Sequence, residues 1–377
     1  LARKTGAGEA EVTAHTSQGL SVTARLGEVE TLEHMQDRGI SVTVLIGQHK
    51  GHASSADLRA DSIRNCVQHA VDIARYTQED SANGLADKDR LATEFPDLDL
   101  WHPAPMDASA AIERALRCEA AGRSHEQISN SEGATFNAGL GLGVYGNSNG
   151  FVGRSGGTRY SQSCVLLGGQ GDSMQRDYSY DSRRCFTELE APEQTGAEAA
   201  RRTAMRLGSR QIPTADMPVV FAPEVAQGLV GHLVGAISGS ALYRNASFLK
   251  DTVGESLFPG WLNILERPRL KRGAGSAVFD SEGVETSNRH IVEAGVLEGY
   301  VLSSYSARRL WLETTGNAGG VRNLLLEPGG DGHENLLRHM GDGFYVKEVM
   351  VQGVSMVTGD YSRGASGFLV ENGELTC

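Results

Sequence analysis

An α+β fold, with mixed and antiparallel sheets and flanking helices, is predicted by three features of the sequence. Short runs in the first 55 residues alternate apolar and polar side chains. Helical periodicity then appears near 61–76 and 107–122, and the C-terminal half is glycine-rich and reads as β-dominated. The alternation is clearest in Leu20-Ser-Val22-Thr-Ala24-Arg and Ile40-Ser-Val42-Thr-Val44-Leu, punctuated by Gly27, Gly39 and Gly47. That pattern predicts an antiparallel meander. A helix from about Asp61 to Tyr76 follows, because Ile63, Val67, Ala70, Val71 and Ala74 recur at three- and four-residue spacing.

Residues 77–106 are polar, are broken by Pro96, Pro103 and Pro105, and read as a linker. A second helix near Asp107 to Gly122 carries Ile112, Ala115 and Leu116, and strands continue through Val144 and Cys164–Leu167. Thr195 and Glu198 have capping-box spacing and are expected to open a helix ending at Gly208. Pro213 and Pro218 introduce a third segment. It begins with a helix near Pro223, where proline suits the first turn. The stretch Pro218–Leu242 is low in charge and reads as a buried core helix. Gly228, Gly231, Gly235 and Gly239 form a stripe on it, and poor helix formers at this spacing predict a second backbone packed close against them. Three domains are expected: 1–80, 95–210 and 212–377, the last β-rich with the glycine-striped helix. No fixed-period repeat is visible.

Composition narrows the function. The 377 residues are 40% hydrophobic and 22% charged, with mean hydropathy −0.29, values of a globular chain rather than a disordered or membrane one. The sequence shows no basic stretch leading into an apolar one at its start, so the cytoplasm is the expected location. A net charge of −12 disfavours broad contact with a phosphate backbone, which requires basic residues to displace counterions. The run Arg267-Pro-Arg269-Leu-Lys271-Arg272 reads as a solvated loop. Cys66, Cys118, Cys164, Cys185 and Cys377 are odd in number and widely spaced, which indicates neither a disulfide framework nor a zinc ribbon.

Local catalytic motifs fail on context. Gly141-Leu-Gly143-Val-Tyr-Gly146 matches GxGxxG, but Asn147-Ser-Asn149-Gly150 follows it with turn chemistry instead of a helix. His333-Glu334 and His339 are six residues apart, whereas HExxH places its second histidine four after the first, so an exposed helix or loop end is expected there. No Gly-x-Ser-x-Gly elbow or phosphate-binding loop occurs. Asp97 and Asp99 read as solvated acids of the linker.

Four segments together resemble the PmbA/TldE branch of the TldD/PmbA family. They are Val144-Tyr-Gly-Asn-Ser-Asn-Gly-Phe151, Met174-Gln-Arg-Asp-Tyr178, Ser303-Ser-Tyr-Ser-Ala-Arg-Arg309 with Thr315-Gly-Asn-Ala-Gly-Gly320, and Thr358-Gly-Asp-Tyr-Ser-Arg-Gly-Ala-Ser-Gly-Phe368. The resemblance spans nearly the whole chain and rests on the order and spacing of motifs that are weak singly. The family was named for modulation of DNA gyrase and for maturation of a microcin precursor, and membership implies proteolysis of short or unfolded peptides.

In the TldD branch a helix carries His-Glu-x-x-x-His, in which the histidines bind zinc and the glutamate is general base. The corresponding residues here are Gln227, Gly228 and His232, so one possible ligand of that motif survives and the base does not, and His232 reads first as a core histidine on a glycine-rich packed helix. The resemblance therefore implies a chain without its own zinc or catalytic residues, paired with a TldD-like zinc-bearing subunit on a peptide substrate. Asp360, Tyr361, Ser362 and Arg363 are the expected peptide or partner contacts. A noncatalytic, homodimeric peptide-binding or regulatory protein is the alternative, with neither nucleic acid nor membrane as direct partner. Sequences of this branch usually continue for some tens of residues beyond Glu371-Asn-Gly-Glu374.

Overall fold

A computed structural model describes all residues except Met106, Gln352 and Cys377. The fold is α+β, as the pattern predicts, and divides into two compact units: residues 1–207 with 268–286, and residues 208–267 with 287–377.

The first unit is built on one antiparallel sheet. Its strands are β1 (Glu9–Arg25), β2 (Glu28–Ile46), β3 (His49–Ser55), β4 (Ile128–Asn147), β5 (Val152–Gly168) and β6 (Gln175–Arg183), in the order β3-β2-β1-β4-β5-β6. Three helices cover it: α1 (Ala60–Tyr76), α2 (Ala108–Arg123) and α3 (Pro192–Met205). The alternating residues do what alternation requires. Leu20, Val22 and Ala24 of β1 join Phe136 and Ala138 of β4 beneath Ala111 and Ala115 of α2, while Val42 and Val44 meet the buried stripe Val67, Ala70, Val71 and Ala74 of α1. Helices α2 and α3 approach closely at glycine: a Cβ on Gly196 would stand 2.0 Å from the Cys118 carbonyl oxygen. Glu119, wholly buried on α2, accepts from the backbone N–H groups of Leu26 (2.6 Å) and Gly27 (2.8 Å) and so fixes the β1–β2 turn.

Several expectations need correction in this unit. Residues 77–106 are no solvated linker, since Ala82, Leu85, Ala86, Leu91, Ala92 and Leu98 are buried. Thr195 is not a cap. Helix α3 starts at Pro192, and Thr195 lies inside it, fully buried, donating to Glu190 Oε1 (2.5 Å) and accepting from Gln162 Nε2 (2.6 Å). The basic run is tied down rather than free: Arg269 pairs with Glu285 (2.5 Å), and Arg272 with Glu188 and with Asp99 (2.6 Å). Asp99 is correspondingly no lone acid, and the hydrogen bond from Arg272 holds its carboxyl below the usual range. The GxGxxG residues lie in β4 and lead into a hairpin turn, with no helix to aim at a phosphate.

The second unit holds two four-stranded sheets. Its elements are β7 (Val219–Phe221), α4 (Pro223–Ala236), α5 (Gly239–Tyr243), β8 (Ile264–Glu266), β9 (Arg289–Glu293), β10 (Val296–Leu297), α6 (Ser304–Leu310), β11 (Leu324–Leu326), α7 (His333–Met340), β12 (Gly343–Met350), β13 (Gly364–Glu371) and β14 (Glu374–Thr376). One sheet runs β10-β9-β8-β11 and is antiparallel. The other runs β14-β13-β12-β7, with β7 parallel to β12. Ile237, Leu242, Ile291, Val292, Leu297 and Leu302 form the core of the first, and Val225, Leu337, Tyr345, Val346 and Val370 that of the second.

Helix α4 departs from its sequence reading. Only Val225 and Ala236 are buried along it, so it is a surface helix. The glycine stripe is not packed against another backbone: nothing lies within 4 Å of a Cβ placed on Gly228 or Gly231, and Gly235 meets only the end of the Met356 side chain, at 3.3 Å. Gly239 alone is tightly enclosed, 2.3 Å from Ser306 Oγ. Helix α7 bears the His333 and His339 pair. His339 is exposed and sits 3.2 Å from Asp331, and His333 packs edge-on against Tyr345, an exposed helix as its spacing predicted.

Candidate functional site

The motifs that carry the family resemblance are largely architectural. Ser303 caps α6 by accepting from Ser306 N–H (3.3 Å), while Ser306 Oγ accepts from Ser303 N–H (2.9 Å). Asn317, from Thr315-Gly-Asn-Ala-Gly-Gly320, is buried between an acid and a base. Its Nδ2 donates to Glu266 Oε1 (2.8 Å) and its Oδ1 accepts from Arg289 Nη2 (2.8 Å). Arg289 Nε closes the network on Glu266 Oε2 at 3.0 Å. Asn147 Oδ1 accepts from Asn149 and Phe151 N–H in the β4–β5 turn.

What remains for function in the second unit is α4 and the loop between β12 and β13. The loop turns back on itself: Ser355 N–H donates to Asp360 O (2.9 Å), Ser362 N–H to Gly353 O (2.7 Å), and Val354 pairs with Tyr361. Phe248 N–H reaches Met356 O at 2.9 Å, and the end of the Met356 side chain lies 3.3 Å from where a Cβ on Gly235 of α4 would stand. These contacts bring two separately predicted groups together. The His232 ring on α4 meets the Tyr361 ring edge-on, with centroids 5.9 Å apart and planes at 69°. Ser362 is exposed, and Asp360 accepts from Thr358 Oγ1 at 2.6 Å in ordinary turn chemistry. Arg363 differs from its neighbours, since its Nε and Nη1 are buried with no acceptor. Buried guanidinium donors left unsatisfied are costly, and an acceptor supplied from outside the chain would relieve that cost.

Gln227 and Gly228 are on the exposed part of α4. The Gln227 carboxamide donates to Glu224 O (2.9 Å), and Glu224 is itself held by Lys347 at 3.5 Å. A hydrolytic zinc takes three protein ligands and keeps a fourth position for water. Helix α4 offers one imidazole, a hydrogen-bonded amide and a glycine, and the ring facing that imidazole is a tyrosine. Among the described residues no three His, Cys, Asp or Glu side chains group as a metal set. This donor set does not fit a catalytic zinc.

A protein with these folded units belongs among the metallopeptidases by comparison. The PmbA/TldA metallopeptidase domain 1 matches residues 10–74, the central domain residues 101–207, and the C-terminal domain residues 214–377. The chain belongs to the PmbA/TldD metallopeptidase family. It is 47% identical over 377 residues to the metalloprotease PmbA homolog of Haemophilus influenzae, covering 100% of this chain and 83% of that one. It is 49% identical over 368 residues to metalloprotease PmbA of Escherichia coli O157:H7, covering 97% and 82%. The fold is also that of a putative modulator of DNA gyrase from Bacteroides thetaiotaomicron, with TM-score 0.93, 28% identity and coverage of 100% and 86%.

Proposed function

We propose that this chain is the TldE-type subunit of a two-chain peptide hydrolase, in which zinc chemistry belongs to a TldD-type partner. The observation that carries the reading is the donor set of α4, where Gln227, Gly228 and His232 stand at the metal-motif positions and cannot complete a site. The family's metallopeptidase character is thereby separated from this chain's own chemistry. The loop beside that helix supports a contact role, because Tyr361 and Ser362 are exposed on it. Extended peptides are the substrate class this reading favours, held by strand addition at a sheet edge, since main-chain bonds bind without demanding a sequence. Among the described residues no helix is long and apolar enough to cross a membrane, and Cys66, Cys118, Cys164 and Cys185 are free thiols. Both fit a cytoplasmic working place.

The test is reconstitution. The purified chain is mixed with a TldD-type chain that has an intact His-Glu-x-x-x-His, and cleavage of an unfolded peptide is followed beside metal analysis of each chain. The expected result is association, cleavage that needs both chains, and no stoichiometric zinc on this one. Two results would overturn the reading: one tightly held zinc per copy of this chain, or full-rate cleavage by the partner alone with no association at micromolar concentration. Self-association with peptide binding but no response to the partner would favour a homodimeric binding protein instead.

A further inference from the structure

The first unit contains a cavity of about 640 Å³, lined in part by Gly141, Leu142 and Gly143 of the GxGxxG match. Its floor is the backbone of adjacent strands β4 and β5, at Gly141, Gly143, Gly156 and Gly157. Side chains there would fill it or collide: a Cβ on Gly157 would lie 2.8 Å from Arg184 Nη1. The walls are apolar, formed by Leu98, Trp101, Leu142 and Phe279. The volume falls in the range of about 300–1,000 Å³ that holds ligands of drug size.

The charge of the lining is unbalanced. Arg184 spends its Nη1 on Thr158 O (3.1 Å) and its Nη2 on Ala274 O (2.7 Å) and Gly273 O (3.3 Å). Carbonyls orient a guanidinium without neutralising it, and Nε is buried without a partner. Burial, followed by the nearby Arg159, pushes the Arg184 pKa down, the direction expected for a cation that lacks a counter-charge. Arg154 is exposed and has no ion pair or hydrogen bond among the described residues. The other ionisable lining groups are already engaged. His15 sits 3.2 Å from Asp37, and Asp97 Oδ1 accepts from Asp99 N–H at 2.9 Å.

We infer that this cavity binds a small organic carboxylate with an apolar body, of di- or tripeptide size. Its carboxylate meets Arg154, in a lining that also holds Arg184, and its apolar part lies on Trp101, Leu98, Leu142 and Phe279. An anion alone would leave the apolar walls unused, and an apolar molecule alone would leave an excess of positive charge, since Asp97 is the one carboxylate in a lining with two arginines. The site stands on the first unit only, and the assignment does not depend on the proposed division of labour with a partner chain.

The experiment titrates the full chain alone with the tripeptide Ala-Ala-Phe, with its C-terminal amide, and with inorganic phosphate, by calorimetry. The Trp101 indole resonance, assigned through Trp101→Phe, is followed in parallel. The expected result is binding of the free acid with a shift of the Trp101 signal, binding of the amide roughly tenfold weaker, and no comparable binding of phosphate. Arg154→Ala should weaken the acid by roughly tenfold and leave the amide unchanged, and Arg154→Lys should restore part of the loss. Because Arg154 is exposed, its replacement leaves the core intact, which circular dichroism verifies. Equal affinity for acid and amide, phosphate binding as tight as the acid, an unmoved Trp101 signal, or no binding of the acid would each overturn the assignment. No partner chain or cleavage assay enters, so failure here is distinct from failure of the subunit reading.

Discussion

The His232 and Tyr361 rings meet edge to face, 5.9 Å between centroids, so His232 serves as a packing partner for the β12–β13 loop. A ligand imidazole would have its second nitrogen oriented by a carboxylate or carbonyl. His232 has no hydrogen-bond partner among the described residues, and its neighbours on the helix are Gly228 and Gly231. The contact therefore links α4 to the loop through shape and ring electrostatics.

That relationship predicts how His232 tolerates change. His232→Phe keeps an aromatic ring against Tyr361 and should leave both stability and cleavage by the reconstituted pair near the parent values. His232→Ala removes the ring contact, worth about 0.5–1.5 kcal/mol. Urea unfolding beside peptide cleavage checks this. If the Phe variant unfolds normally but loses all activity, the imidazole has a chemical role that packing does not explain.

Glu266 offers a sharper stability test. It is 2% exposed and receives Arg289 Nε, Asn317 Nδ2 and Arg322 N–H. Glu266→Ala would leave the Arg289 guanidinium buried without its acid, and breaking a buried pair in this way costs about 3–5 kcal/mol. Thermal or urea unfolding should show a loss of that order. A change below about 1 kcal/mol would mean that Arg289 finds water in place of the carboxylate.

Acid stability should depend on Glu198. Its carboxylate takes hydrogen bonds from Arg201 and Arg202, at 2.7 Å each, and Arg201 first, then Arg202, outweigh burial to pull its pKa from 4.5 to about 2. A depressed pKa contributes stability that is complete above the unfolded value and fades as pH falls through the folded one. The contribution is therefore present at neutral pH and lost between about 4.5 and about 2. Glu198→Gln should lower the melting temperature at neutral pH and reduce its fall from about pH 5 to about pH 3. Parallel pH profiles for the two proteins would contradict this. The side chain is one-third exposed, so solvent screening keeps the effect modest.

Local patterns in the sequence were legible where one physical cause dominated. Alternation placed β1 and β2, and three- and four-residue spacing placed α1 with Val67, Ala70, Val71 and Ala74 buried. The turn chemistry read after Gly141–Gly146 is the β4–β5 hairpin turn of the fold. The misreadings share another cause: they concern partners distant in sequence. Thr195 has capping spacing, yet Gln162, 33 residues earlier, claims its hydroxyl. Arg272 looked solvated until Asp99, 173 residues away, met it. The cavity floor had a signal in Gly156-Gly157 within a strand, where glycine marks close approach, but Arg184 and Phe279 reach it only through the fold. The nearness of His232 to Tyr361 had no signal in the sequence, since 129 residues separate the two.

The glycines of the predicted stripe give the last prediction, with a sign that changes from α4, which carries Gly228 and Gly231, to α5, which opens at Gly239. Glycine inside a helix costs up to about 1 kcal/mol relative to alanine. A Cβ on Gly228 or Gly231 would meet nothing within 4 Å, so Gly228→Ala and Gly231→Ala should each stabilise the isolated chain by up to that amount. Gly239 is the opposite case. Its Cβ would stand 2.3 Å from Ser306 Oγ and 2.4 Å from Ser306 Cβ, and Ser306 cannot yield freely because it completes the cap of α6 with Ser303. Gly239→Ala should therefore destabilise by about 1–3 kcal/mol, the usual cost of overpacking. Urea unfolding of the three variants decides it: loss at 228 and 231 would refute the packing described for α4, and stabilisation at 239 that described for α5. Glycines left bare at a cost to the isolated helix also bear on the subunit reading. If a partner backbone lies against them, the stabilised alanine variants should associate more weakly with the TldD-type chain, because the added methyl then occupies the space that the partner requires.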